Sequence, residues 1–196
     1  MKIETLVLGP LGTNCYIVSQ EGRQDALVID PAAEADRIFA ALGERRAAAV
    51  LLTHGHFDHT GALSAFAGTP IYMHPADEIM LTDPAWSVGG RFGDTAPRPP
   101  ATDFVQEGSQ LHLAGLDIAV LHTPGHTLGS VCYRVGDALF TGDTLFCRGY
   151  GRVDHPGGDM AAIFASLRRL LKAEEERAVY PGHGPDTTLF RERGRL

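Results

Sequence analysis

With 196 residues, 44 % of them hydrophobic and 21 % charged, the chain is long enough for one sizeable core and has the composition of an ordinary soluble globular protein. Its net charge of −7 argues against nucleic acid or an anionic membrane surface as the main partner, while leaving room for an anionic small ligand held by a local basic patch. No apolar run approaches the roughly 20 residues needed to span a bilayer, the opening MKIETLVLGPLGTN makes a poor signal peptide, and Cys15, Cys132 and Cys147 form no CxxC pair, so a reduced cytoplasmic setting without disulfides is expected.

The apolar, β-branched runs IETLVLG, NCYIVS and ALVID, separated by polar turns, predict an N-terminal β-meander. AAEADRIFAALG then places Ala35, Ile38, Phe39 and Leu42 at helical spacing, with Gly43 as the stop. AAAVLLT is nearly continuous apolar sequence, the mark of a strand buried on both faces. GALSAFAG predicts a short helix and PIYMH another strand; residues 83–103, rich in Gly and Pro, read as a surface flap rather than a linker. In the second half, LHLAGLDIAVLH turns at Gly115, and SVCYRVGDALFTG carries a Gly-Asp hairpin signal. DMAAIFASLRRLLK puts Met160, Ile163, Phe164, Leu167 and Leu171 on one helical face, and AVYPGHG is a short final strand. Strands then strand–helix alternation, in two rough halves, predict two sheets with helices packed outside them. Residues 1–196 are expected to form one domain, and nothing in the pattern fixes an oligomeric state.

The chemistry begins in LLTHGHFDHTG, where His54, His56, Asp58 and His59 fall within six positions. Three of the chain's nine histidines side by side repel as soon as they are protonated, and no packing requirement selects H-x-H-x-D-H. A bound cation turns that crowding into attraction, because neutral imidazole and carboxylate are good ligands for borderline divalent metals. Three more ligand-type side chains sit in Gly-rich turns after apolar strands: His126 in TPGHT, Asp143 in TGDTLF and His183 in PGHGP. Strand ends at one sheet edge are where loops converge on a site. Seven candidates exceed one tetrahedral ion; they suit two metals roughly 3.5–4 Å apart, as in binuclear hydrolases. Two divalent ions against the charges of Asp58 and Asp143 leave a surplus able to stabilise a bridging hydroxide, with the pKa of bound water lowered to about 7. Lone histidines are more often structural, so His74, His112, His122 and His155 are read that way; Cys15 and Cys132 read as core residues. Cys147, four residues after Asp143, could lie near the site but is not needed as a ligand.

Taken together, THGHFDH, PGHT, TGDTLF and YPGHG resemble the metallo-β-lactamase-fold superfamily, in order and spacing, over nearly the whole chain. The resemblance implies a four-layer αβ/βα sandwich with metals at one edge of the sheets. It implies that His54, His56 and His126 hold one metal, that Asp58, His59 and His183 hold a second, and that Asp143 bridges them. Within the superfamily the chain looks like the glyoxalase II branch: DTLFCRGYGR resembles that branch's D-T-L-F-x-x-G-C-G-K segment, with Arg152 in the place of the glutathione-contacting lysine and Tyr150 in that of the cysteine. An arginine there keeps the charge and suits a carboxylate. GHGPDTT, and an end thirteen residues after His183, resemble the short glyoxalase II-like hydrolases.

The expectation is therefore a hydrolase with two divalent ions, zinc first and iron or manganese as alternatives, acting on a small thioester such as S-lactoylglutathione. Asp58 is expected to be both ligand and orienter of the attacking hydroxide, with Arg148, Tyr150 and Arg152 touching substrate. One rival is a persulfide dioxygenase, whose RGxGRxD stretch is matched by Arg148, Gly149, Gly151, Arg152 and Asp154. It would hold one iron through His54, His126 and Asp143. Another is a different hydrolase of the fold, such as a lactonase; a binding module with a vestigial site ranks last, since all seven ligands are present.

Overall fold

The computed structural model describes residues 1–173 and 175–195. The first sheet contains β1 (Lys2–Leu8), β2 (Thr13–Ser19), β3 (Asp25–Ile29), β4 (Arg46–Leu51), β5 (Ile71–Met73) and β6 (Asp103–Phe104), in that spatial order. The opening meander is antiparallel, as the short polar turns predict, and the later strands pair in parallel after crossovers. The second sheet runs from β7 (Gln110–Leu113) through β8 (Leu116–His122), β9 (Val131–Val135), β10 (Ala138–Gly142) and β11 (Ala178–Pro181) to β12 (Thr187–Thr188). The final two-residue strand was not anticipated from the sequence.

Alternation along the strands separates the layers. In β2, Tyr16 and Val18 enter the core between the sheets, while Cys15 and Ile17 join the opposite face. Leu27 and Ile29 of β3 point inward against Val120, Tyr133 and Phe140; Ala26 and Val28 point outward to Ile38 and Leu42 of α1 (Ala35–Leu42). On the other side, Cys132 and Leu139 pack beneath Ile163 and Leu167 of α3 (Met160–Leu171). The result is helix, sheet, sheet, helix: the expected four-layer sandwich, with strands buried on both faces because helices cover the outside. Among the described residues no helix is long and apolar enough to cross a membrane.

Two helical expectations are corrected. GALSAFAG forms only a 3₁₀ turn at Leu63–Phe66. The buried face of α3 is Ile163, Ser166, Leu167 and Leu170, with Met160 left 51 % exposed. The preceding turn fixes that rotation. Ser166 Oγ donates to the Pro124 carbonyl at 2.8 Å, and a Cβ on Gly125 would sit 2.2 Å from the Ile163 backbone nitrogen. Glycine lets this turn press against the helix, so a polar serine faces inward beside Ile163 and Leu167; Phe164 and Leu171 still pack against this core, and Met160 alone of the expected face does not. The same turn carries His126.

Candidate metal centre

The His54–His59 segment leaves the end of β4 and closes into the single-turn α2 (Phe57–Thr60). His126 follows β8, Asp143 follows β10 and His183 follows β11. These loops lie at one end of the two sheets, and two side chains of β2 tie the sheets together there. Asn14 Nδ2 donates to the Pro181 and Gly184 carbonyls, both at 2.9 Å, and Tyr16 Oη donates to the Pro181 carbonyl at 2.5 Å. His183 is thereby held against the other sheet. Gly182 allows close approach: a Cβ would lie 2.2 Å from Asp143 Oδ1 and 2.7 Å from His59 Cε1.

All seven sequence candidates meet. Donor atoms fall into three overlapping groups, each within 4.8 Å: His54, His56 and His126; His54, His59 and Asp143; Asp58, His59 and His183. His56 Nδ1 is 2.9 Å from His126 Nε2, and His183 Nε2 is 3.3 Å from Asp58 Oδ2. Asp143 faces both ways: Oδ1 lies 3.4 Å from His59 Nε2, while Oδ2 lies 3.4 Å from His126 Nε2 and 3.6 Å from His183 Nε2. Two donors bound to one tetrahedral ion at about 2.0–2.1 Å stand about 3.3 Å apart, so these spacings fit metal coordination.

The hydrogen bonds behind the rings supply a second test. Asp30 receives the Thr53 amide at 2.8 Å on one oxygen and the Thr53 hydroxyl at 2.6 Å on the other. Because that hydroxyl spends its proton on Asp30, it accepts from His54 Nδ1 at 3.1 Å. His59 Nδ1 donates to Asp30 at 2.9 Å, and His126 Nδ1 donates to the Arg152 carbonyl at 2.7 Å. In its neutral form each of these rings is fixed in the tautomer that leaves Nε2 with a free lone pair. Nε2 of His54 and of His59, with Asp143 Oδ1, are buried without a hydrogen-bond partner on the side facing the cluster. Unpartnered buried acceptors are costly and rare in native proteins; a cation is the group whose presence removes that cost at all of them.

Ionisation is divided across the cluster. Burial and neighbouring imidazoles push His54 well below its ordinary value, and burial with His126 brings His56 down to about 3. Burial would also lower His59, yet Asp58, Asp143 and Asp30 outweigh it and hold His59 well above its ordinary value. His183 is raised in the same way, against burial, by Asp58 and Asp143. Burial opposes ionisation of both carboxylates, but the imidazoles prevail: His59 and His126 bring Asp143 down to about 2, and His59 and His183 hold Asp58 below the usual carboxylate range.

The expected substrate contacts Arg148, Tyr150 and Arg152 lie on the segment that follows Asp143. Arg152 is exposed and bound in bidentate fashion to Asp154, with both contacts at 2.6 Å; its carbonyl, not its guanidinium, touches the cluster through His126. Tyr150 packs against Phe164 of α3, with ring centroids 5.3 Å apart. Arg148 has φ 68°, and its amide donates to buried Glu192 at 3.0 Å.

Sequence reasoning missed four supports and one neighbour. Thr13 Oγ1 donates to Asp58 Oδ2 at 3.0 Å, and Asp30 and Thr53 orient the rings as described. Asp77, fully buried, receives the Gly55 amide, the Gly129 amide and the Thr127 hydroxyl, joining the His54–His59 segment to the loop of His126. His155, expected to be structural, lies 5.7 Å from the His56 ring with its Nδ1 buried and unpartnered. Of the others, His112 bonds Asp117 across β7–β8, and His74 stacks on His122 at 4.2 Å.

Residues 8–183 match the metallo-beta-lactamase superfamily, and the chain belongs to that family. It is a metallo-hydrolase of the β-lactamase fold with a histidine–aspartate metal-binding cluster. Among relatives, it is 34 % identical to the hydroxyacylglutathione hydrolase GloC of Haemophilus influenzae, over 98 % of this chain and 95 % of that one. It is 33 % identical to the probable metallo-hydrolase YqgX of Bacillus subtilis, over 98 % and 94 %. Among solved structures, it superposes on the BLEG-1 B3 metallo-beta-lactamase with TM-score 0.92 at 34 % identity, covering 98 % and 97 % of the two chains. TTHA1623 in a di-iron-bound form gives 0.86 at 38 %, covering 98 % of each chain, and ETHE1 from Myxococcus xanthus gives 0.81 at 30 %, covering 100 % and 83 %.

Proposed function

We propose that the protein is a binuclear hydrolase of small thioesters, of the S-lactoylglutathione kind. The observation that carries this reading is that two of the three donor groups share no residue, while both oxygens of Asp143 are turned toward members of these two. His54, His56 and His126 would hold one ion and Asp58, His59 and His183 the other, with Asp143 between them. The likeness to GloC supports the thioester class. Ligands of nitrogen and oxygen alone admit zinc, iron or manganese, and the di-iron form of TTHA1623 supports iron beside zinc.

Divalent ions bound here would lower the pKa of water to about 7 and polarise a carbonyl. The protein's own part begins with Asp58. Held ionised and anchored by Thr13 Oγ1, it accepts a hydrogen bond from the attacking water and sets its direction. A carboxylate so acidic keeps a transferred proton poorly, so its role is orientation rather than storage. His59 and His126 are prevented from turning by Asp30 and the Arg152 carbonyl. A departing thiolate needs no strong acid, since a free thiol has a pKa of about 8.5.

A second reading, one iron and oxygen chemistry on a persulfide, keeps the Arg148–Asp154 match and the meeting of His54, His126 and Asp143. Elemental analysis of protein purified without chelator separates the two. Near two metals per chain, falling to one in an Asp58→Ala, His59→Ala variant, with turnover of S-lactoylglutathione, is the expected result. A single iron untouched by the substitutions, with oxygen uptake on glutathione persulfide, would replace the hydrolase reading.

A further inference from the structure

The seven donors do not account for the groove that opens beside them. A cleft of about 370 Å³ runs between the β1–β2 turn and the 3₁₀ turn at Gly89–Phe92, and its lining reaches Thr13 and Asp58. Leu8, Pro10, Leu11, Phe57 and Phe92 make it apolar. Leu11 is 43 % exposed and Phe92 58 % exposed. Scattered singly, such residues are ordinary on a protein surface; gathered along one cleft that touches a metal ligand, they define a subsite. Phe92 is not loose, for its ring stacks on Phe57 at 4.8 Å.

The charge of the cleft selects what enters. No lysine or arginine is among the described residues that line it. Its carboxylates other than Asp58 are already paired: Glu34 with Arg37 at 2.8 Å and with the Gly9 amide at 2.8 Å, Asp94 with Arg98 at 2.6 Å. An anionic group such as the glutathionyl half of a substrate finds no cation there. A neutral hydrocarbon chain finds apolar walls leading to the cluster, in a volume well beyond what a lactoyl group fills.

We propose that this groove is the acyl subsite, and that the enzyme is a hydrolase of thioesters with apolar acyl chains longer than lactoyl. The proposal rests on the thioester reading above and adds the substrate's acyl class to it. Water adds its oxygen to the carbonyl carbon, the C–S bond breaks with its electron pair going to sulfur, and the water's proton goes to the thiolate. The fatty acid leaves by the groove and the thiol on the other side.

The test is a series of acetyl-, butyryl- and hexanoylglutathione, with calorimetric binding of acetate and hexanoate to the metal-loaded protein alongside. The hexanoyl thioester should exceed the acetyl one in kcat/KM by about tenfold or more, as added methylenes in an apolar pocket do. Leu11→Ser and Phe92→Ser, both at exposed positions, should each shrink that ratio several-fold and weaken hexanoate binding relative to acetate. A flat series in the parent, or a ratio that neither variant changes, would overturn the acyl subsite while leaving thioester hydrolysis standing. If no thioester were cleaved but hexanoate still bound in preference to acetate and lost that preference in the variants, the thioester reading would fall and the groove would keep its role.

Discussion

His54, His56 and His126 are sealed from solvent and carry no carboxylate among themselves, whereas Asp58, His59 and His183 combine charge with access. In the second group the Asp58 side chain is 13 % exposed and that of His183 is 26 % exposed. In the first group burial depresses His54 and His56; in the second, Asp58, Asp143 and Asp30 raise His59, and Asp58 with Asp143 raises His183. The difference teaches a division of labour in which one group retains an ion and the other presents reactive, solvent-reachable groups beside it. Asp58, in the open group and lining the groove, is where the two properties meet.

The largest expected break is therefore Asp58→Ala, which removes the orienting carboxylate and one ligand of the open group. Turnover of a thioester should fall by about 10²–10⁴-fold, the usual scale for a positioned proton-handling group, with an unchanged circular dichroism spectrum. Near-parental turnover would show that the open group does not direct the attack.

Asp77→Ala attacks what the two groups share. Burial raises the Asp77 pKa, so the fold accepts a cost to keep this carboxylate between the loops of His54–His59 and His126. Its removal leaves the Gly55 and Gly129 amides and the Thr127 hydroxyl with less to donate to, and unsatisfied buried groups cost about 1–3 kcal/mol each. A stability loss of about 3 kcal/mol in urea unfolding of the metal-free protein is expected. A loss within about 0.5 kcal/mol, the scale of neutral surface changes, would mean that the loops stand without it.

Asp30→Asn sharpens the comparison further. Asp30 has φ 50°, a left-handed conformation that asparagine also tolerates, so the backbone is kept while the charge behind His59 is lost. Removing such an outer partner typically costs 10–100-fold in metal affinity. Competition with a chelator should show that loss for one metal equivalent more than for the other. Equal loss would imply that Asp30 serves both groups alike through Thr53 and His54.

These supports mark where legibility in the sequence ends. The ligands of the first segment stand within six positions and announce themselves; the opening meander and two sheets with helices outside follow from alternation and turn residues, and the four-layer sandwich from the family resemblance. Asp30 and Asp77 are single carboxylates whose partners lie 22 to 52 residues away, with no local spacing to betray them. His155 looks like any isolated histidine until folding brings it beside His56. The apolar pattern finds most of the buried face of α3 but not Ser166, because a glycine contact and one serine hydrogen bond set that part of it, and neither leaves an apolar trace. The groove is illegible for the same reason, being assembled from turns far apart in the chain.

The smallest expected effect, and the most direct probe of the division, is the pH dependence of metal content. His54 and His56 have depressed values, so both are unprotonated near neutrality and an ion entering the first group displaces no proton from them. His59 and His183 are raised, so in the metal-free protein they hold protons to higher pH and must release them before they can ligate. As pH falls from about 8 to 5, across the ordinary histidine range, the open group should lose its ion first. The signs for folding stability are likewise opposite. Between about pH 3 and 6.5, unfolded His56 binds a proton that the native residue does not, so this residue's contribution falls as pH drops. The raised His59 and His183 contribute fully below about 6.5, and that contribution is lost as pH rises through their native values. Elemental analysis after dialysis at stepped pH should show two separated losses, the first abolished by Asp58→Ala, His59→Ala. Both ions leaving together, in parent and variant alike, would mean that Asp143 couples the two groups into one cooperative site and that they do not act separately.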